Sequence, residues 1–515
     1  MQLFEIIVAL LLIAVLLLGL ARRLGVPYPS LLALAGAGIA FVPGLPTVSI
    51  DPHMALALFI APALLHAGLE SSPRGLWRNA VPLTALAVIA VLLTAAAAML
   101  TGHLMAGMPI AAALALGAIV APPDAAAASA VLSQSNLPRR SLFVLQGESL
   151  LNDATALLLF GAATSLALPE HSLHDDAPGL LLGIPFGVAL GWAAAFGYLR
   201  LLPRFSGTLG ATVVDIAVTL ALWLVAERVQ ASAVLAVVTF ALVSARRRPF
   251  IEPARDRVHA ASVWAAGVFI LNVLAFMLMG LQARTLVANL EPSQRWPAIG
   301  FTLALFCVVV LVRLGWLMTY RAVAGFLHAR FAPRWLPTPV PWRVELLVAW
   351  AGMRGLLTVA TALALPANFP ARDLIVLSAF GVVLGTLVLQ GFTIELLVRA
   401  LRVPEDTSLN EALSTARAAL LHDALDTIGA PTDSNRALHA KYASALKVAE
   451  RGTDPQGATD YDRARLAAVR AQRRHLLSMR SGGAIAEDVF RRLQEELDWA
   501  EIDAHPLADM HLDEA

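Results

Sequence analysis

Three groups of polar residues interrupt otherwise apolar stretches of this chain. The run Ala121-Pro122-Pro123-Asp124 sets two prolines before a carboxylate. Each proline lacks an amide donor and crowds the preceding turn, so a helix must break here and leave carbonyl oxygens beside Asp124. Backbone oxygens next to a carboxylate can hold a dehydrated cation. The plainer reading is a proline kink in which Asp124 caps the next half-helix, and the two are compatible because such a cap also brings charge to the break. The small residues Ala125 to Ala128 and Ser129 then allow close helix packing. The second group is Gly147-Glu148-Ser149-Leu150-Leu151-Asn152-Asp153-Ala154-Thr155. At about 100° per residue, Ser149 and Asp153 share a helix face, Asn152 lies beside them, and Glu148 stands one turn before Asn152. Hydroxyl, amide and carboxylate oxygens suit a hard cation. A carboxylate that holds either a cation or a proton, but not both, couples the two by competition; the alternative is a buried polar network that ties helices together. The third group, Trp350-Ala351-Gly352-Met353-Arg354-Gly355, sets an arginine among glycines in an apolar run, where a helix-end arginine that snorkels is the simpler reading.

The elements that carry these groups are long and apolar. Hydrophobic residues make up 58% of the chain and charged ones 15%, with mean hydropathy +0.70, outside the range of soluble domains. Apolar runs, each near the roughly 20 residues that cross a hydrocarbon layer, follow one another from Met1 to about Leu401. Thirteen spans are expected. The first covers 3–20, the fifth 110–134, the sixth 141–167, the short ninth 232–245, the long eleventh 296–325, the twelfth 343–366 and the last 372–401. A soluble segment follows, so two domains are expected, 1–403 in the membrane and a helical tail at 404–515.

Arginines concentrate after odd-numbered spans, among them Arg22, Arg23, Arg139, Arg140, Arg246, Arg247 and Arg248. The positive-inside rule therefore puts the N-terminus outside and the tail in the cytoplasm. Glu5 precedes the first apolar run where a secretory signal would carry basic residues, so that run reads as a retained helix. Residues up to 403 include 25 basic and 17 acidic side chains and the tail 13 and 20, a distribution without a nucleic-acid footprint. Cys307 is the only cysteine, which excludes an intramolecular disulfide and a cysteine metal cage. No HExxH, P-loop or Gly-x-Gly-Asp motif occurs, so the expectation is a secondary transporter with no cofactor rather than an intramembrane enzyme.

The Pro-Pro-Asp segment ending at Asp124, the stretch Gly147 to Thr155, and Gly352-Met353-Arg354-Gly355, in that order, resemble the motifs of monovalent cation/proton antiporters of the electroneutral, NhaP-type or sodium/proton-exchanger branch. The resemblance covers residues 1 to about 403. It implies that Asp153 exchanges cation and proton, that Ser149 and the Pro123 carbonyl are further cation ligands, and that Asp124 lies near the crossing of broken helices. It also implies that Asn152 marks one-for-one exchange, that Glu148 and Arg354 form a buried pair, and that the protein is a homodimer in a bacterial inner membrane. Na⁺ is the favoured cargo and K⁺ the alternative; a non-transporting sensor on the same scaffold is the reading from another class. Two departures stand out. Pro123 occupies a position where many members have threonine, and His66, in Pro62 to Gly68, stands where the resemblance places an acid. An imidazole is no like-for-like Na⁺ ligand, so His66 is either a pH-sensitive gate or a satisfied core histidine.

The Pro122-Pro123 break in span five and the glycine-flanked break in span twelve are seven spans apart. This fits an all-α polytopic membrane protein built from two inverted six-helix repeats joined by span seven. In the tail, Ile485, Val489, Leu493 and Leu497 recur at four-residue intervals and predict the apolar face of a last helix. That tail is either a regulatory or dimer-stabilising domain or a solvated extension.

Overall fold

A computed structural model describes residues 2–42, 51–124, 138–167, 173–208, 210–288, 292–331, 338–403, 406, 408–450, 460–482 and 484–504. No strand occurs among them. The chain divides into two compact units, one formed by residues up to Pro404 and the other by Glu405–Glu514.

In the first unit, α1 spans Gln2–Leu24, α2 Tyr28–Ala40, and α3 residues 52–70 with a π-helical stretch at Leu56–Ile60. α4 (Ala80–Ala106) and α5 (Ile110–Val120) follow, then α6 (Arg139–Ala167), α7 (Leu173–Leu201) and α8 (Gly210–Arg228). α9 is Ala233–Ile251, α10 Ala254–Leu281 and α11 Pro292–Phe331. α12 (Trp342–Trp350) and α13 (Leu356–Leu363) are two halves of one interrupted run, and α14 covers Arg372–Leu401. Seven of the described helices are long and apolar enough to cross a membrane, and Tyr28–Ala40, Leu56–Glu70 and Ile110–Val120 are shorter apolar ones. The part of span five beyond Asp124, with Ala125 to Ser129, lies outside the described residues.

The ninth run is longer than expected: Ser232 caps it by accepting from the Leu235 amide, and the helix continues to Ile251, with Pro249 in its last turn. The 40 residues of α11 reach about 60 Å at 1.5 Å per residue, roughly twice a hydrocarbon layer.

Lipid tails are as apolar as leucine, so close packing and polar contacts must hold these helices together. Gly187 and Gly191, one turn apart on α7, lie against the backbone of Ser232 and Ala236; a Cβ at either would collide with the facing carbonyl. One buried core gathers α3 and α7 to α10, around Trp223, Phe240 and Trp264; a larger one joins α1, α2, α5, α11 and α14 with the breaks. At the end of the first core the expected loop arginine Arg248 is instead buried. It donates to Asp215 at 2.7 Å and to Glu252 at 2.5 Å, while the Tyr198 hydroxyl donates to the other Asp215 oxygen. Four side chains from α7, α8, α9 and the turn after α9 thus satisfy one another, as buried charges must.

The described residues of the second unit form four helices, α15 (Ser408–Ile428), α16 (Arg436–Glu450), α17 (Asp460–Ser481) and α18 (Glu487–Ala504). The face that packs on α18 is not the expected one. Val489 and Leu493 are exposed, whereas Phe490 is buried beneath the Arg480 guanidinium, 4.3 Å from its ring centroid. Arg473 on α17 reaches Asp498 at 2.6 Å and also Glu501. These contacts set the rotation of α18 and override the four-residue repeat.

Candidate ion-exchange site

The end of α5 meets an interruption in a second helical run within the first unit. α5 ends at Val120, as the two prolines require, and Ala121 to Asp124 are non-helical. The second interruption runs from Ala351 to Gly355, between α12 and α13. Each break satisfies groups the other exposes. The Asp124 amide donates to the Met353 carbonyl at 2.7 Å. Arg354, 1% exposed, donates through Nε to the Val120 carbonyl at 3.0 Å, through Nη2 to Ala121 at 3.2 Å, and through Nη1 to its neighbour Gly352. Its backbone amide donates to Thr386 Oγ1 on α14 at 3.0 Å. Arg354 therefore caps the C-terminal end of α5, where orphan carbonyls and the negative end of the helix dipole favour a cation. Gly355 must lack a side chain, since a Cβ there would overlap the Asp124 carboxylate.

α6 supplies the remaining groups from one continuous helix, as the spacing predicts. Asn152, fully buried, donates from Nδ2 to the Pro123 carbonyl at 2.8 Å, while its Oδ1 meets no hydrogen-bond partner among the described residues. Asp153 is 8% exposed. Among the described residues no donor meets its carboxylate, and Asp124 lies within its electrostatic reach. Ser149 is half-buried one turn earlier on the same face. The structure thus brings Asp153, Asn152, Pro123 and Asp124 to the crossing, with Ser149 alongside.

Glu148 has a different partner from the one the resemblance implies. Its two oxygens accept from Arg313 Nη1 at 2.6 Å and Nη2 at 3.0 Å, the bidentate fork that guanidinium geometry favours. Both residues are at most 3% exposed. The Glu148–Arg354 pair is therefore corrected to Glu148–Arg313, because Arg354 spends its donors on backbone carbonyls at the break. Arg313 lies deep inside α11 and went unnoticed in the sequence reading; its signal is an arginine within Val310-Leu311-Val312-Arg313-Leu314, too costly in an apolar helix to lack a purpose. Gly352 makes room for it, since a Cβ there would strike the Arg313 side chain. Among the described residues the one polar partner of His66 is Glu70, 3.5 Å away and one turn later on α3.

A family model described as the transmembrane sodium/hydrogen exchanger matches residues 8–400. An uncharacterized Na⁺/H⁺ exchanger of Mycobacterium tuberculosis is 30% identical over 98% of this chain and 97% of its own length. A sodium, potassium, lithium and rubidium/H⁺ antiporter of Bacillus pumilus is 28% identical over 78% of this chain and 62% of its own. The structure of a sodium proton antiporter from Methanocaldococcus jannaschii shares the fold, with a TM-score of 0.60 and 18% identity over 78% of this chain and 99% of that one. With a family match over most of its length, and with the end of α5 meeting the α12–α13 interruption beside a buried carboxylate, the chain belongs to the sodium/hydrogen exchanger family, as a membrane-spanning monovalent cation/proton antiporter.

Proposed function

We propose that the protein exchanges one Na⁺ for one H⁺ at Asp153 by alternating access. The observation that carries this reading is the Asp153 carboxylate, buried and without a donor among the described residues, beside an asparagine anchored to the broken backbone. An uncompensated carboxylate in a low-dielectric interior is costly, and binding either a proton or a monovalent cation removes the charge. Movement of the site between the two sides is then cheap when it is loaded and expensive when it is empty, which prevents leakage. Both loaded forms carry the same net charge, so exchange is electroneutral. Ser149 Oγ and the Pro123 carbonyl complete the cation shell together with Asp153. Asn152 holds Pro123 in place, and its unpaired Oδ1 offers a further oxygen near the ion. Asp124 adds negative potential, and the cation is cargo with no resident cofactor beside it.

The same reading takes thirteen crossings in two inverted repeats, a homodimer in a bacterial inner membrane, the N-terminus outside, and a cytoplasmic tail that regulates or stabilises the dimer. His66 serves as a pH-sensitive gate through its pair with Glu70. K⁺ is the second cargo, favoured by the printed name of the Bacillus pumilus relative. The test is dequenching of a pH-sensitive dye in proteoliposomes on addition of Na⁺, Li⁺ or K⁺. Na⁺ is expected to give the largest signal, unchanged by an imposed membrane potential. A larger K⁺ signal would transfer the assignment to K⁺/H⁺ exchange, and a signal that follows the potential would exclude one-for-one stoichiometry.

A further inference from the structure

A single peptide group ties the exchange site to α14. The Met353 carbonyl accepts from the Asp124 amide at 2.7 Å, and the amide of the next residue, Arg354, donates to Thr386 Oγ1 at 3.0 Å. Both groups belong to the Met353–Arg354 peptide, and in a planar trans peptide C=O and N–H point in opposite directions. One edge of that plane therefore holds Asp124 and the other edge rests on α14. Thr386 is fully buried, and its hydroxyl proton goes to the Val383 carbonyl at 3.0 Å, which leaves the oxygen as an acceptor for Arg354. The turn that carries Thr386 is itself fixed. It opens the π-helical stretch Thr386–Gln390, a widened turn of the kind that recurs at functional sites. The next carbonyl, that of Leu387, accepts from Ser30 Oγ on α2 at 2.6 Å, and Gly391 leaves room for this hydroxyl, since a Cβ there would lie 2.2 Å from it. Two turns further along α14, Thr393 Oγ1 accepts from the indole of Trp350, the last residue of α12, at 3.0 Å.

We propose that Thr386 is a positioning residue of the exchange site: through the Met353–Arg354 peptide it fixes Asp124 and the adjoining Pro123 carbonyl in the geometry that binds the cation. This rests on the exchange reading above. Asn152 holds Pro123 from α6 and the Met353 carbonyl holds Asp124 from the second break, so the segment is gripped from both sides. The second grip is only as firm as the peptide that makes it. Without the Thr386 hydroxyl, the Arg354 amide is a buried donor in a stretch that supplies no helical partner, a costly state that it escapes by turning toward another acceptor. Because the plane turns as one body, the Met353 carbonyl then swings away from the Asp124 amide. Thr386 thus acts at one remove, its own bonds going to Val383 and Arg354.

The test is Na⁺-driven proton movement in proteoliposomes of the full chain, with apparent Na⁺ affinity and maximal rate measured separately for wild type, Thr386→Val, Thr386→Ser and Thr219→Val. Valine keeps the shape and removes the acceptor. Thr386→Val is expected to weaken the apparent affinity about tenfold, equivalent to about 1.4 kcal/mol, within the cost of one unmade buried hydrogen bond. Serine restores the hydroxyl and should return the affinity to near the wild-type value. Thr219, fully buried on α8, donates to the Asp215 carbonyl of its own helix at 2.7 Å, so Thr219→Val loses a comparable hydroxyl away from the break and should leave the affinity unchanged. A purely structural role would lower the thermal midpoint and the maximal rate without moving the affinity. The proposal is overturned if Thr386→Val binds Na⁺ as wild type does, if Thr219→Val shifts the affinity as far, or if Thr386→Ser is as weak as the valine variant. Should Thr386→Val fail to fold, Thr386→Cys, whose sulfur is a weaker acceptor, takes its place: a weakened affinity supports the proposal and a wild-type affinity overturns it. A wild-type protein that moves no protons would instead remove the exchange reading itself.

Discussion

Replacing Asp153 with asparagine is expected to lower Na⁺-driven proton movement by roughly 30- to 150-fold, equivalent to losing about 2–3 kcal/mol of charge-assisted interaction with the cation. Dye dequenching in proteoliposomes measures this. The amide retains the shape and the position on α6, so the crossing of the broken helices should survive and the purified variant should elute as wild type does. What it loses is the negative charge that a cation or a proton neutralises. Asparagine at 153 would also place two amides side by side, since Asn152 already anchors the Pro123 carbonyl. A variant that still couples the two fluxes at near wild-type rate would locate exchange elsewhere, with Asp124 a carboxylate within electrostatic reach.

The second large effect is on stability. Arg313→Met leaves Glu148, 1% exposed, without the two donors that hold it. Breaking a buried pair from one side costs about 3–5 kcal/mol, whereas removing both charges is often close to neutral. Thermal unfolding in detergent should therefore show a large loss for Arg313→Met, a comparable loss for Glu148→Gln, and recovery of most of it in the double variant. Losses that simply add in the double variant would show that the two residues act independently. Because the clamp spans α6 and α11, and Arg313 rests on Gly352 at the second break, the single variants should also disturb exchange, whereas a contact remote from the crossing would not.

The chemistry of the site was legible where the deciding interactions are local. Two prolines end α5 whatever surrounds them, and four-residue spacing places Ser149 and Asp153 on one face of any helix. Arg354 was also visible as an arginine that needs a reason, but its partner was not. The choice between pairing with Glu148 and capping α5 depends on how two breaks 230 or so positions apart come together, with Arg354 and the Val120 carbonyl separated by 234 residues. Arg313 and Glu148 are 165 residues apart, and no local pattern links them. Arg248 was misread for a related reason. Three consecutive arginines before Pro249 look like the end of a span, yet Asp215 and Glu252 together offer a buried place for the third, and the helix extends to carry it there. In the tail the periodic face gave way to Phe490 and to the ion pairs of Arg473, which no repeat encodes.

The central claim is that a cation and a proton compete for Asp153. It is tested most directly by measuring the apparent Na⁺ affinity of the wild-type protein in proteoliposomes across a pH series, with the maximal rate determined at saturating Na⁺ at each pH. Competition predicts that on the acid side the apparent affinity weakens about tenfold per pH unit while the maximal rate at saturating Na⁺ is unchanged, because proton and cation binding to one group are reciprocally linked. An apparent affinity independent of pH, with protons depressing the maximal rate alone, would contradict a shared site at Asp153.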